Sequence, residues 1–187
     1  MKDKSLERRC NFKTPRLSVA SWRQQLQGAE AEKRFAEKVM GNLTPAVTND
    51  LPEDWDQLNN LEEAREWIQS RDEESHFVCI TQSSSQEILG FIFLYESYMD
   101  HPLFDLRFGY LLSEKSWGQG LGTEIIQGLI QWCQEEGHIQ SLSGGVDHDN
   151  IASIRVLEKA GFSVSSVDPS SENVLFYEYR FETGLLH

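Results

Sequence analysis

Residues 108–136 read FGYLLSEKSWGQGLGTEIIQGLIQWCQEE, and this stretch decides the fold. Its opening is apolar and strand-like, and apolar residues then recur at helical spacing. Between the two patterns, Gly118, Gly120 and Gly122 leave a chain without Cβ atoms where the helix begins. Backbone N–H groups at a helix start have no intrahelical partner and lie at the positive end of the dipole. The stretch therefore predicts an anion site, with a pyrophosphate group as its expected ligand.

Other interpretations of these glycines exist. A Walker loop requires Gly-Lys-Ser or Gly-Lys-Thr after its second glycine, and the chain contains neither tripeptide. A dinucleotide fingerprint requires a third glycine three residues after the second, whereas the spacing here is two. A loop that only turns the chain remains an alternative, because glycine patterns alone are weak signals.

A second segment, residues 146–162 with the sequence VDHDNIASIRVLEKAGF, reduces the weight of that alternative. Taken together, the two stretches resemble the GNAT acetyltransferase superfamily, and within it the branch of the ribosomal-protein N-terminal acetyltransferases. That branch has Trp-Gly-x-Gly-x-Gly/Ala-(Ser/Thr)-Glu, matched by residues 117–124, and Asn-x-x-Ser-x-x-x-(Leu/Tyr)-x-Lys-x-Gly-Phe, matched by residues 150–162. Residues 14–17, Thr-Pro-Arg-Leu, are similar to the Thr-x-Arg-Leu opening of the same branch.

The resemblance implies an α/β fold. We expect a GNAT-like three-layer domain with helices on both faces of a mixed sheet of six to seven strands. A V-shaped split is expected between the strands that end near Leu112 and Val146. The expected organisation is an N-terminal extension over residues 1–13, one acetyltransferase domain over residues 14–182 and a tail over residues 183–187.

Periodicity and turn residues predict the individual elements. Helices are predicted over residues 22–40, 61–74, 121–136 and 151–160, and strands over residues 16–21, 77–81, 88–95, 104–112, 141–146, 162–167 and 174–181. Gly41, Gly137 and Gly161 are predicted to end helices, and Asn150 to cap one. Residues 44–50 are predicted to be a loop. By the family layout, Trp22, Trp55 and Trp67 are expected in the wall of the acceptor site.

Composition limits the class of protein. A chain of 187 residues suits one domain, and its apolar content of 39% argues against disorder. The net charge of −13 disfavours nucleic acids and anionic membranes as partners and is compatible with a cationic amine. The sequence has no apolar run long enough to predict a membrane span or a signal peptide. The expected location is therefore the cytoplasm.

The cysteines carry no pattern of a reactive or metal site. Cys10, Cys79 and Cys133 are odd in number and far apart, which favours neither disulfides nor zinc. Buried positions are expected for Cys79 and Cys133. We therefore expect no metal.

The resemblance implies acetyl-CoA as the co-substrate. Its pyrophosphate is expected on the backbone of the glycine loop, and its pantetheine arm on the preceding strand and on Asn150 and Ser153. The expected cofactor-binding residues are Leu111, Leu112, Trp117, Gly118, Gln119, Gly120, Leu121, Gly122, Thr123, Asn150 and Ser153. Three have structural alternatives: Asn150 also suits a helix cap, Ser153 suits an ordinary first-turn position, and Trp117 suits packing under the loop. Lys115 suits a phosphate contact or a solvated loop position.

The catalytic groups follow less directly. Many relatives place a glutamate where this chain has Arg107, which cannot accept a proton at neutral pH. Glu96 is the preferred general base, His101 is a second candidate, and Asp105 is a further carboxylate near the expected cleft.

The general acid is equally open. Relatives often have a tyrosine where this chain has Leu157. Ser153, or solvent, is left to protonate the leaving thiolate. His148 is assigned to a loop.

These residues predict an acetyl-CoA-dependent N-acetyltransferase. It is expected to move an acetyl group to a primary amine, either a protein N-terminus or a small amine, by direct attack in a ternary complex. A monomer or a homodimer is expected. The alternative is a non-catalytic acyl-CoA-binding or regulatory module, which Arg107 and Leu157 motivate.

Overall fold

The computed structural model describes residues 5–49, 51, 55, 57–98, 103–165 and 173–182. The chain forms two compact units. The first consists of Met1–Phe93 and Tyr110–Leu121, and the second of Leu94–Gly109 and Gly122–His187.

The described part of the chain contains both helices and strands. The helices are α1 (Ser5–Arg9), α2 (Ala31–Asn42), α3 (Pro45–Thr48), α4 (Leu61–Glu74), α5 (Leu121–Glu136) and α6 (Ile151–Lys159). Two short 3-10 helices span Trp22–Gln25 and Glu114–Ser116. The strands are β1 (Phe12–Lys13), β2 (Leu17–Ser21), β3 (His76–Gln82), β4 (Ile88–Tyr98), β5 (Phe104–Leu112), β6 (Ile139–Asp147), β7 (Ser163–Val164) and β8 (Val174–Arg180).

The strands form one sheet in the order β1-β2-β3-β4-β5-β6-β8-β7. Strands β5 and β6 run parallel, whereas β1–β2, β2–β3, β6–β8 and β7–β8 are antiparallel. The parallel pairing joins residues 104–107 to residues 139–143 and stops there, although both strands continue. The predicted mixed α/β sheet is thus confirmed. The pairing ends before Leu112 and Val146, where the resemblance implies a split.

An aromatic cluster forms the core of the first unit. Phe77 of β3 stacks on Phe93 of β4 with ring centroids 5.2 Å apart, and Trp55 meets Phe93 edge to face at 4.6 Å. The Arg71 side chain of α4 is only 4% exposed, and its Cζ lies 4.4 Å from the ring centroid of Trp55. Cation–π attraction offsets part of the cost of burying this charge.

Two of the tryptophans expected at the acceptor site belong to this cluster instead. Trp55 and Trp67 are 8% and 6% exposed, and their rings lie 5.6 Å apart. Trp22 is half-buried and its indole N–H donates to Asp72 Oδ1 at 2.9 Å. The acceptor wall predicted from Trp55 and Trp67 is therefore wrong, because both rings are buried in the core and expose little surface to a ligand.

The N-terminal segment contributes to the same unit. Leu6 and Cys10 are fully buried, and β1 pairs with β2 through Phe12 opposite Val19. Glu7 is 1% exposed and accepts a hydrogen bond from Ser21 Oγ at 2.5 Å. Its carboxylate also pairs with Arg23, which supplies the charge that a buried carboxylate requires.

Helix α5 dominates the second unit. The predicted apolar face is confirmed, because Leu121, Ile125, Ile126, Leu129, Ile130 and Cys133 are all buried. Each fully buried branched side chain stabilises the fold by about 1.5–3 kcal/mol. Gly137 follows the helix at φ +69°, a left-handed conformation that glycine adopts without strain.

The paired glycines of β6 make room for neighbouring protein. A Cβ on Gly144 would lie 3.2 Å from the Phe108 carbonyl oxygen, and one on Gly145 would lie 3.1 Å from Val174 Cγ1. Glycines within a strand often mark the close approach of a ligand or of neighbouring protein, and the atoms near these two glycines belong to neighbouring protein.

The predicted helix over residues 22–40 is wrong in its first half. Residues 22–25 form a 3-10 turn, and α2 begins only at Ala31. Gly28 at φ +83° and Glu30 at φ 57° interrupt the helical path between them. The predicted stop at Gly41 is also wrong by two residues, because α2 includes Gly41 and runs to Asn42.

Other boundaries also differ from prediction. The loop over residues 44–50 contains α3, which has Pro45 at its start, where a missing N–H is harmless. Eight strands are described instead of seven, because the two-residue β1 is too short to show alternation. Strand β7 is limited to Ser163–Val164, and part of its predicted span lies outside the described residues. No described helix combines the length and the apolar content that crossing a membrane requires.

Candidate functional site

The glycine loop connects β5 to α5. Strand β5 ends at Leu112, the 3-10 turn follows, and Leu121 begins the helix. Gly118 and Gly120 adopt φ values of +69° and +75°. Residues with a Cβ are strained in this left-handed region, so both glycines are required by the path of the backbone.

Polar groups of the glycine loop form hydrogen bonds with one another. Ser113 Oγ and Ser116 Oγ lie 2.9 Å apart in a buried hydrogen bond. The Gln119 side-chain amide donates to the Lys115 carbonyl at 2.6 Å. The Trp117 N–H donates to the Glu114 carbonyl at 3.0 Å. These bonds favour this path of the loop backbone.

Three side-chain contacts fasten the loop to other segments of the first unit. Thr44 Oγ1 donates to Glu114 Oε2 at 2.6 Å. Lys115 Nζ pairs with Glu87, and this hydrogen bond lowers the pKa of the Glu87 carboxyl. Arg16 Nη1 donates to the Gln119 carbonyl at 2.9 Å. Of the two interpretations of Lys115, the solvated loop position agrees with the structure, because the side chain is 57% exposed even while it pairs with Glu87, and the phosphate contact stays a prediction.

The amides at the helix start are the expected anion ligands. Leu121, Gly122 and Thr123 occupy the first turn of α5, where backbone N–H groups have no intrahelical acceptor. The positive end of the helix dipole lies at the same place. Trp117 differs from them, because its N–H is already bonded to Glu114.

Trp117 does not pack under the loop. It is 49% exposed, and its indole N–H donates to the Leu112 carbonyl at 2.8 Å. The packing interpretation is therefore wrong. The hydrogen bond fixes the indole at the end of β5 and leaves much of the ring surface accessible.

The backbone N–H of Leu112, at the end of β5, has a defined direction. The Leu111 carbonyl lies so close to Gly90 of β4 that a Cβ there would be 2.1 Å from its oxygen. No described peptide bond is cis, so the Leu112 N–H lies on the opposite side of the same peptide. The Leu112 amide thus points away from Gly90. This orientation suits the predicted role of Leu111 and Leu112 as backbone contacts of a ligand.

Asn150 and Ser153 lie in the second unit at the start of α6. Asn150 Oδ1 accepts a hydrogen bond from the Ser153 N–H at 3.0 Å. The predicted helix cap is confirmed, and the coenzyme contacts of both residues stay predictions. Leu157 of the same helix is buried and has no titratable group, and the exposed Arg107 of β5 stays protonated, so neither supplies an acid or a base.

The candidate bases are only partly described. Glu96 is half-buried and lies within β4, not at its end as the sequence pattern indicates, because this strand extends to Tyr98. Asp105 accepts a hydrogen bond from Ser141 Oγ at 2.6 Å. His101 lies outside the described residues. Glu96 therefore stays the predicted base.

The cysteines, all of which lie within the described residues, offer no nucleophile. All three cysteines are buried, and burial raises the pKa of the thiols of Cys79 and Cys133. His148 is exposed between Asp147 and Asp149, with Nε2 3.1 Å from Asp149 Oδ1. Side-chain ligand atoms of these three residues lie within 4.8 Å of one another. Such exposed ion pairs form without a metal, and nothing else in their surroundings indicates one.

Sequence reasoning missed Arg16 as a contact of the loop. The only signal was the Thr-Pro-Arg-Leu opening, which carries no information about its spatial neighbours. The bond from Arg16 to Gln119 joins residues 103 positions apart.

The fold thus places the glycine loop between strand β5 of a mixed sheet and helix α5. Residues 25–163 match the family described as Acetyltransferase (GNAT) domain, which covers most of the chain. The chain belongs to this family, and the resemblance read from its motifs is confirmed.

The sequence is also similar to that of a known protein. The chain is 33% identical over 92 residues to Probable N-acetyltransferase YjcK of Bacillus subtilis, a match covering 49% of the chain and 50% of YjcK. The match thus spans only about half the length of this relative.

Solved structures share the fold. RimL, a ribosomal L7/L12 alpha-N-protein acetyltransferase in complex with coenzyme A, has a TM-score of 0.71 at 17% identity, covering 92% of the chain and 99% of RimL. The microcin C7 self-immunity acetyltransferase MccE, in complex with acetyl-CoA and AMP, has a TM-score of 0.68 at 17% identity. That match covers 89% of the chain and 93% of MccE.

Proposed function

We propose that the protein is an acetyl-CoA-dependent N-acetyltransferase that acts on a primary amine. One observation carries the proposal: a preorganised loop with Gly118 and Gly120 in left-handed conformations leads directly into the start of α5. Helix-start amides bind phosphate groups. Membership of the GNAT family supports acetyl-CoA as the source of that phosphate.

The donor would be held along its length. The pyrophosphate would bind the backbone amides of residues 118–123, and the Trp117 ring would offer an apolar surface beside them. The pantetheine arm would bind the backbone at Leu111 and Leu112. Asn150 and Ser153 keep the contacts with this arm that the resemblance implies.

The reaction would be a direct transfer in a ternary complex. The amine nitrogen attacks the thioester carbonyl carbon, the C–N bond forms, and the C–S bond of the tetrahedral intermediate breaks. Glu96 would take the proton that the amine nitrogen loses. Ser153 or solvent would return a proton to the thiolate of coenzyme A. A backbone N–H such as that of Leu112 would stabilise the oxyanion.

The acceptor class follows from charge and resemblance. A net charge of −13 attracts a protonated amine during encounter. A protein N-terminus is favoured by the resemblance, and RimL, described as an alpha-N-protein acetyltransferase, shares the fold. Small primary amines, including polyamines, are the other members of this class.

The first experiment is a calorimetric titration of the protein with acetyl-CoA, with NAD and ATP as controls. We expect saturable binding of acetyl-CoA and none of comparable affinity for the controls. Absence of acetyl-CoA binding would overturn the proposal, because every later step requires that ligand.

A non-catalytic acyl-CoA-binding module is the second candidate. Exposed Arg107 and buried Leu157 favour it, since neither position holds a proton-transfer group. A panel of primary amines with a thiol-release assay separates the two functions. An enzyme releases coenzyme A with at least one amine, whereas a binding module is stabilised by acetyl-CoA but releases none.

The predicted base gives a sharper test. Glu96→Gln is expected to lower kcat about 100-fold near neutral pH, because the amide cannot accept the proton of the attacking amine. The affinity for acetyl-CoA should stay within twofold of the wild type. Glu178→Gln is the matched control, because Glu178 is also a strand carboxylate of the second unit and pairs with Arg180. A mutant pH–rate profile identical to that of the wild type would remove Glu96 as the base.

A further inference from the structure

Arg16 reaches the glycine loop from the start of the chain. It lies immediately before β2, and its Nη1 donates to the Gln119 carbonyl at 2.9 Å. Its Nη2 would lie 3.8 Å from a Cβ built on Gly120. The guanidinium therefore contacts the segment between the two left-handed glycines.

This contact determines the direction of a neighbouring amide. The Gln119 carbonyl and the Gly120 N–H belong to one planar trans peptide, so they point in opposite directions. With the carbonyl held by Arg16, the Gly120 N–H points away from the guanidinium. A peptide next to glycine is otherwise able to rotate, because glycine tolerates both signs of φ.

Arg16 is itself held by a tight turn. The Thr14 N–H donates to the Leu17 carbonyl at 2.9 Å, and the Leu17 N–H donates to Thr14 Oγ1 at 3.1 Å. The Arg16 carbonyl accepts a hydrogen bond from the Ser83 N–H at 2.9 Å. The Thr-Pro-Arg-Leu segment thus closes on itself and presents the arginine side chain outward.

The charge of Arg16 matters at the same place. Lys115, the cation within the loop, is paired with Glu87. A guanidinium beside Gln119 and Gly120 adds positive charge next to the helix start, and the protein as a whole is strongly acidic.

We propose that Arg16 is a positioning residue of the coenzyme site: it holds the Gln119–Gly120 peptide so that its amide faces the diphosphate of acetyl-CoA. This role rests on the proposed function, since it requires acetyl-CoA as the ligand of the loop. The Thr-Pro-Arg-Leu segment then serves as the support that places Arg16.

The test compares Arg16→Ala and Arg16→Lys with the wild type. Arg16→Ala is expected to weaken acetyl-CoA binding about tenfold, as for the loss of one charge-assisted hydrogen bond. Arg16→Lys should recover part of the affinity, because an ammonium group can still donate to the Gln119 carbonyl. Arg65→Ala is the control, because this substitution removes the same charge. Arg65 is an exposed arginine of the first unit and pairs with Glu62.

A second measurement separates positioning from general stability. Competition against acetyl-CoA by S-acetylpantetheine, which lacks the diphosphate, should give the same inhibition constant in Arg16→Ala and the wild type. Competition by 3′-phosphoadenosine 5′-diphosphate, the nucleotide half of coenzyme A, should weaken about tenfold, the same factor as acetyl-CoA itself. A loss of overall folding would weaken both competitors.

The outcomes are distinguishable. Failure of the wild type to bind acetyl-CoA overturns the proposed function and this role together. Binding by the wild type with an unchanged affinity in Arg16→Ala overturns the role of Arg16 alone. Equal losses for both competitors also overturn it, because they show that Arg16 supports the fold and not the diphosphate site.

Discussion

Gly120→Val is expected to weaken acetyl-CoA binding by about 100-fold or more, which corresponds to about 2.7 kcal/mol. Gly120 has φ +75°, and a β-branched residue is strongly disfavoured there. The loop must change its path to relieve the strain, and the amides at the start of α5 lose their common direction. The space around the position is not the cause, since a Cβ would meet only Arg16 Nη2 at 3.8 Å. Calorimetric titration of the folded variant measures the effect.

Gly137→Val is the matched control for this experiment. Gly137 has φ +69° with no heavy atom within 4 Å of a built Cβ, so the same substitution creates similar backbone strain. It lies just after the other end of α5. We expect reduced stability with unchanged acetyl-CoA affinity. A folded Gly120→Val protein that binds acetyl-CoA like the wild type would contradict the assignment of the loop.

Gly90→Ala is expected to destabilise the protein by about 3 kcal/mol or more. An added Cβ would lie 2.1 Å from the Leu111 carbonyl oxygen and 3.1 Å from Leu112 Cα. Both obstacles are backbone atoms, so a side-chain rotation cannot relieve the overlap. The strands must separate locally, which disturbs the same peptide that directs the Leu112 amide. Urea unfolding followed by circular dichroism measures the change in the unfolding free energy.

Gly109→Ala provides the comparison for that measurement. Gly109 is likewise a strand glycine, in β5, yet no heavy atom lies within 4 Å of a Cβ built there. We expect a change of less than about 1 kcal/mol, within the range of ordinary surface substitutions. If Gly90→Ala were as stable as Gly109→Ala, the close approach of Leu111 to Gly90 would be wrong.

Local patterns predicted several elements at their observed bounds. Helices α4 and α5 and strand β5 match their predictions residue for residue, because their periodicity is long and their ends carry strong signals. Asn60 caps α4 by accepting from the Glu62 and Glu63 amides. The first half of the helix predicted over residues 22–40 is wrong because scattered apolar residues resemble helical spacing, while the left-handed turn at Gly28 and Glu30 gives only a weak signal.

Some features of the candidate site were also predictable from local sequence patterns, and others were not. The glycine loop was predictable, because positive φ values favour glycine and the helix begins within a few residues of these glycines. Burial of Trp55 and Trp67 was not, because a tryptophan suits a core as well as a binding wall.

The sequence by itself determined the family, the glycine loop and the helix that follows it, since these depend on residues a few positions apart. Only the tertiary structure decided that Arg16 holds the Gln119 carbonyl and that Leu111 lies against Gly90. Such contacts join residues far apart in the chain, and no local periodicity records them. They depend on how the strands pair and where the loops close, which is settled by packing of the whole fold.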